Sequence, residues 1–142
     1  MTIKQLTVFV KNSKGSLVEL TKLLAQNDIN IRALSVAETQ EFGMLRLIVN
    51  NVDKATKILE ENNYLIKAVD VIGIKISDKP GGLAQALEAL DKADINVEYM
   101  YGLSIDGEEA SVVLKTSDVD KACEVFKKNG ISTLTSEDVA KL

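Results

Sequence analysis

Asp78-Lys79-Pro80-Gly81-Gly82-Leu83 and Asn12-Ser13-Lys14-Gly15-Ser16-Leu17 are one bend written twice in the same chain. Gly15 and Gly81 stand 66 residues apart. So do Asn30 and Asn96, in the matching stretches Asp28-Ile29-Asn30-Ile31 and Asp94-Ile95-Asn96-Val97. Further on, Val52-Asp53-Lys54-Ala55 returns as Val119-Asp120-Lys121-Ala122 at a spacing of 67. Three matches in order at nearly constant spacing mark an internal duplication. The one-residue shift predicts an extra residue in the second copy, in the turn between its middle strands.

Around these bends each copy reads β-α-β-β-α-β. Leu6, Val8 and Val10 alternate as a half-buried strand, and Leu17, Leu20, Leu23 and Leu24 then take helical spacing to about Asn27. Ile31–Ala37 and Leu45–Val49 are strand-like; Val52, Ala55, Ile58 and Leu59 form a second helical stripe, and Tyr64–Val71 closes the copy. The second copy runs through Ile72, Ile74 and Ile76, then a helix at Leu83–Leu90. A hairpin turning at Asp106-Gly107, a helix at Val119–Phe126 and a strand at Ile131–Thr135 complete it. This order predicts an α+β chain of two ferredoxin-like domains in tandem, residues 1–71 and 72–142, with antiparallel sheets and both helices of each on one face. By alternation the bare face of the first copy is expected to carry Phe9, Leu34, Val36, Met44 and Ile48. Tyr99 and Tyr101 are expected to point at the helices.

Composition removes several functions. With 21 acidic residues against 17 basic ones, the chain lacks the cationic surface that nucleic acid or an anionic membrane would need. No apolar run approaches the roughly 20 residues of a membrane span, and Met1–Gln5 is too polar for a secretion signal. There is no histidine, hence no imidazole base or metal ligand; the single Cys123 allows no internal disulfide and no Cys-x-x-Cys site. A cytoplasmic chain with no catalytic residue, no metal and no cofactor is expected. Cys123 is expected to pack against the last helix's core, and Arg32 and Arg46 to be surface cations, with a grip on a ligand carboxylate as their other use.

The recurring polar feature is the bend between first strand and first helix. Proline fixes φ at a helix start, and glycines let backbone amides approach a ligand without a Cβ in the way. Free amides at the start of the helix face outward toward an anion. Asn12 or Asp78, three residues before the glycine, could accept from an ammonium group, and the amides of Asn30 and Asn96 both donate and accept. The same residues also suit a plain strand-to-helix turn with Asp78 or Ser16 as the helix cap.

The motif Asp78-Lys79-Pro80-Gly81-Gly82-Leu83, followed by Ala93-Asp94-Ile95-Asn96-Val97, resembles the ACT domain, the small ligand-binding module of amino-acid metabolism. The resemblance covers both copies, Ile3 to Thr135; the first keeps the glycine and leucine without the proline. It implies allosteric binding of a free amino acid, usually where two ACT domains meet, in a homodimeric, stand-alone tandem protein acting on a separate metabolic enzyme. Carried over by position, the ligand contacts would be Asn12, Ser13, Lys14, Gly15, Ser16 and Leu17 with Asn30 and Ile31. In the second copy they would be Asp78, Lys79, Pro80, Gly81, Gly82 and Leu83 with Asn96 and Val97. Asp78 departs from the asparagine of the serine-sensing members. Two other functions remain: a structural docking protein without a small-molecule ligand, and an acylphosphatase-type enzyme, whose loop arginine neither bend carries.

Overall fold

The duplication is visible strand by strand in a computed structural model, which describes residues 2–142. The chain forms two units, one of residues 4–69 and one of residues 70–142 with Thr2 and Ile3. The first contains β1 (Ile3–Lys11) from Lys4 onward, α1 (Ser16–Gln26), β2 (Ile31–Glu38), β3 (Phe42–Val49) and α2 (Val52–Glu61). β4 (Leu65–Ser77) runs across the boundary. The second continues with α3 (Gly82–Lys92), β5 (Val97–Asp106), β6 (Glu109–Thr116), α4 (Val119–Lys128) and α5 (Ser136–Ala140). Among the described residues no helix is long and apolar enough to cross a membrane.

In each unit the two longer helices, α1 with α2 and α3 with α4, pack on one sheet face. In the first, β3 pairs antiparallel with β1 and with β2. Leu6, Val8, Leu45 and Leu47 from the strands meet Leu20, Leu24, Ala55 and Leu59 from the helices. In the second, β6 pairs antiparallel with β4 and β5, and Ile72, Ile74 and Leu114 meet Ala86, Leu90, Ala122 and Phe126. Cys123 is half-buried against this second core. Each fully buried Leu, Ile or Phe here contributes about 1.5–3 kcal/mol.

The closing segments of the two copies differ. β4 begins one residue after Tyr64, as the sequence predicts, but Ile131–Thr135 shrinks to one antiparallel bridge, Ile74–Thr133. Lys75 N donates to Ser132 O and Leu134 N to Gly73 O on either side of it. The chain then turns into α5, a short helix whose five residues are too few to show a period in the sequence.

Single bulged residues decide which side chains face which way. In β2, Ile31 pairs with Val49 and Ala33 with Ile48, so Arg32 is an extra residue. Such a residue reverses the alternation beyond it. Leu34 and Val36 therefore lie opposite Leu47 and Leu45 on the helix face, not on the bare face that alternation predicts. The same bulge recurs at Glu98, between the pairs Val97–Thr116 and Tyr99–Lys115. Tyr99 and Tyr101 thus lie opposite Lys115 and Val113 on the face away from the helices, which corrects their expected core role. Phe9, Met44 and Ile48 do lie on the bare face. Arg46, opposite Thr7 and Ser35, shares that face and is half-buried like Arg32, so neither is an exposed cation.

A further bulge locates the extra residue of the second copy. Val36 and Ala37 pair with consecutive residues of β3, whereas Gly102 and Ser104 pair with the consecutive Val112 and Ser111. The insertion is Leu103, inside strand β5; beyond it the equivalent pairs Glu38–Gly43 and Ile105–Ala110 enclose four residues each.

Candidate functional site

The two bends share one glycine conformation and one set of closing hydrogen bonds although only glycine and leucine recur between them. Gly15 has φ 89° and ψ −11°, and Gly81 has φ 90° and ψ −11°. Both are helix N-caps in the left-handed region, which a glycine enters without a Cβ penalty. Ser16 N donates to Ser13 O and Gly82 N to Lys79 O, closing each bend, and Glu19 N and Gln85 N donate to the glycine carbonyls. The amides of Leu17 and Val18, and of Leu83 and Ala84, fall between these bonds, where an α-helix offers no partner from within itself.

No side chain caps α1 or α3. This separates them from α2 and α4, where Asn51 accepts from Lys54 N and Asp118 from Lys121 N. Each bend is a tight strand-to-helix turn in which neither Ser16 nor Asp78 serves as the helix cap. Ser16 instead hydrogen-bonds Ser13, Oγ to Oγ, at 2.8 Å.

Each bend is tied to the tip of the neighbouring hairpin. Asn12 N donates to Glu41 O at 3.1 Å, and Asp78 N to Glu108 O at 2.7 Å. Asn12 adds a second tie, from Nδ2 to Thr39 O at 3.2 Å, and this leaves its Oδ1 as the acceptor not used in that bond. Asp78 has no side-chain amide to do the same. Thr39 and the hairpin carbonyls are parts of the site that the motif does not mention; the paired spacings of Glu41 with Glu108 could have pointed to them.

Asn30 and Asn96 lie elsewhere. Their carbonyls accept from Asn50 N and Ser117 N, and their amides donate to Asn50 Oδ1 and Ser117 Oγ, so both backbones are held while both residues are exposed. Asn30 precedes β2 and Ile31 opens it, at the opposite end of that strand from the Glu38–Phe42 hairpin to which Asn12 is tied. Within one unit, bend and asparagine are thus not brought together. The same holds for Asp78 and Asn96 with Val97.

A family model of the ACT domain pair matches residues 1–142. The chain belongs to the ACT domain pair family. This ACT domain pair is similar in structure to protein BT0572 from Bacteroides thetaiotaomicron, with 40% identity, a TM-score of 0.95, and coverage of 100% of this chain and 98% of that one. It shares its fold with the regulatory subunit of aspartate kinase from Thermus thermophilus, at 14% identity and a TM-score of 0.61 over 88% of this chain and 91% of that one. The aspartate kinase of Clostridium acetobutylicum contains a similar part, at 14% identity and a TM-score of 0.54, covering 89% of this chain and 33% of the kinase. No curated protein matches the chain. Among the described residues of this ACT domain pair, no three Cys, Asp or Glu side chains gather as a metal site.

Proposed function

We propose that this ACT domain pair is a non-catalytic regulatory protein that binds a free amino acid at the bends Asn12–Leu17 and Asp78–Leu83. Residues 1–71 and 72–142 would be its two binding modules. The observation that carries this reading is the contrast between helix starts: α2 and α4 are capped by their own side chains, while α1 and α3 begin on a left-handed glycine with no cap. A carboxylate there gains about 0.3–1 kcal/mol from the helix dipole and about 1.5–3 kcal/mol per charge-assisted bond. A total of roughly 4–8 kcal/mol corresponds to micromolar-to-millimolar affinity, the range that follows a metabolite pool. Oδ1 of Asn12 would accept from the ligand's ammonium. Asp78 would pair with that ammonium but repel the carboxylate, so the first bend is the better receptor.

The asparagine contact has to come from another domain, and β2 offers a route. β2 is a terminal strand of its sheet, and Leu34 and Val36 on it are 50% and 47% exposed. Two β2 strands pairing antiparallel across a two-fold axis would bury these side chains. They would also carry Asn30 of the partner subunit toward the hairpin end, where Asn12 is tied. We therefore read the protein as a homodimer in the cytoplasm that acts on a separate metabolic enzyme and needs no cofactor.

A thermal-shift screen of the free amino acids tests the reading. At a hundredfold excess over Kd, a ligand adds about 2.7 kcal/mol to the folded state. At least one amino acid is expected to raise the melting temperature, and Asn12→Ala to reduce the rise; no shift with any of them sinks the reading. Exposed Leu17 and Val18 in the first turn of α1 favour one other reading, docking of a protein with no small molecule. That reading requires a stable complex indifferent to amino acids and to Asn30→Ala.

A further inference from the structure

The two copies act as a control for each other, because whatever the fold requires should recur. At the turn after the second helix it does. Asn62 Nδ2 donates to Ile58 O at 2.8 Å and Asn129 Nδ2 to Val125 O at 2.8 Å. Asn63 and Gly130 follow with φ of 66° and 69°. Tyr64 N then donates to Leu59 O and Ile131 N to Phe126 O. The turn is one device used twice.

The side chains around it are not repeated. Where the first copy has Lys11, Glu19, Lys22 and Tyr64, the second has Ser77, Gln85, Glu88 and Ile131. The fold is thus made without the tyrosine, the carboxylate and both ammonium groups. In the first copy these four side chains line two adjoining hollows of about 290 and 300 Å³ that share Glu19, Asn62 and Tyr64. One is bounded by the end of β1 and Ser16, the other by Lys22, Leu23 and Gln26 of α1.

Tyr64 packs against the first core and also lines both hollows. Burial, and after it the charge of Glu19, holds its phenol above the ordinary tyrosine range. The hydroxyl therefore remains a proton donor at any physiological pH. Charge of both signs stands along the cleft: Lys11 lies in one hollow, Lys22 in the other, and Glu19 in both.

We propose that this α1–Tyr64 cleft, which adjoins the first glycine bend at Ser16 but does not use the bend's amides, is a second ligand site, for a small zwitterion up to about dipeptide size. Glu19 takes the ligand's ammonium. Lys11 or Lys22 takes its carboxylate, and Tyr64 donates a hydrogen bond to whichever acceptor lies over the ring. The hollows are small by the standard of about 300–1,000 Å³ for drug-sized sites, which suits a metabolite of this class. The proposal does not depend on amino-acid binding at the bends.

The test uses the full chain, labelled for amide NMR and titrated with free amino acids and glycylglycine at millimolar concentration. At least one of these probes is expected to shift the amides of Lys22, Gln26 and Asn62 saturably. The double variant Glu19→Gln, Tyr64→Ile installs the side chains that the second copy already carries at these places, so the fold has a precedent for them. It should lose those shifts at least tenfold in apparent affinity and keep any shift at Leu17 and Val18. Lys11→Ser combined with Lys22→Glu, also the second copy's residues, supplies the same comparison should the first double variant not fold. Gly15→Val should show the reverse pattern, losing the bend and keeping the cleft. The proposal is overturned if no probe moves the cleft amides, or if the shifts there persist unchanged in the cleft variants.

Discussion

Gly82 sits directly against the carbonyl oxygen of Ser77, so a methyl group built on its Cα would run into backbone. A carbonyl oxygen at the end of a strand has no flexible tip to swing aside. Gly82→Ala is expected to cost about 1–3 kcal/mol as an overpacked site. The corresponding residue of the first copy is Ser16, which already carries a side chain and bonds Ser13 with it. Ser16→Ala should stay within about 0.5 kcal/mol of the parent, as surface changes do. Thermal melts of the two variants check the contrast; equal losses would mean that the bends do not differ as described.

Gly15 and Gly81 allow a cleaner comparison, because a Cβ at either would meet nothing within 4 Å. Any loss on substitution is then conformational. A non-glycine residue in the left-handed region pays roughly 1–2 kcal/mol, offset by about 0.4–1 kcal/mol as alanine stiffens the unfolded chain. Gly15→Ala and Gly81→Ala should therefore each lower stability by about 1 kcal/mol, and by the same amount within error. Denaturant unfolding of both variants measures this, and a twofold difference would contradict the shared dihedral angles.

What the sequence discloses follows from how each signal arises. The duplication and the βαββαβ order are legible because helix period, strand alternation and glycine bends are local. Leu34, Val36, Tyr99 and Tyr101 were not, because Arg32 and Glu98 each insert one residue opposite a partner strand, and nothing in their own side chains announces a bulge. Leu103 hides for the same reason, inside a strand where a turn was the simpler place for an insertion. Of the candidate site, Gly15 and Gly81 were legible because their conformation admits little else. Thr39, Glu41 and Glu108 were not, since they contribute carbonyl oxygens that every residue possesses.

The pH dependence of α5 is set by a capping box. Thr135 N and Oγ1 both donate to Asp138 Oδ2 at 2.8 Å, and Asp138 N donates to Thr135 Oγ1 at 3.1 Å. The backbone bond from Thr135, then that from its hydroxyl, holds the Asp138 carboxyl below its ordinary value. A carboxyl whose folded pKa is depressed stabilises fully above its unfolded pKa of about 3.9 and loses the contribution as pH falls through the folded value. Protection of the Val139 amide, which donates to Thr135 O, should fall selectively as the solution is acidified below about pH 4. In Asp138→Asn that step should disappear, leaving α5 less protected at neutral pH.

The terminal strand β2 sets the last expectation. Val36 lies opposite the buried Leu45 on the helix face yet is 47% exposed, because no further strand lies beyond β2. A lysine there would leave the first core intact, since its stem can lie where the valine does while the ammonium reaches water. On an edge strand the same charge opposes pairing with a second copy. Val36→Lys should therefore melt within about 1 kcal/mol of the parent and shift the monomer–dimer balance toward monomer in sedimentation measured across concentrations. If Asn30 of the partner subunit completes the bend at Asn12, the monomeric variant should also lose amino-acid stabilisation of the first domain. A variant that dissociates yet keeps that stabilisation would leave the bend standing as a receptor by itself. A variant that stays dimeric would move the interface away from β2.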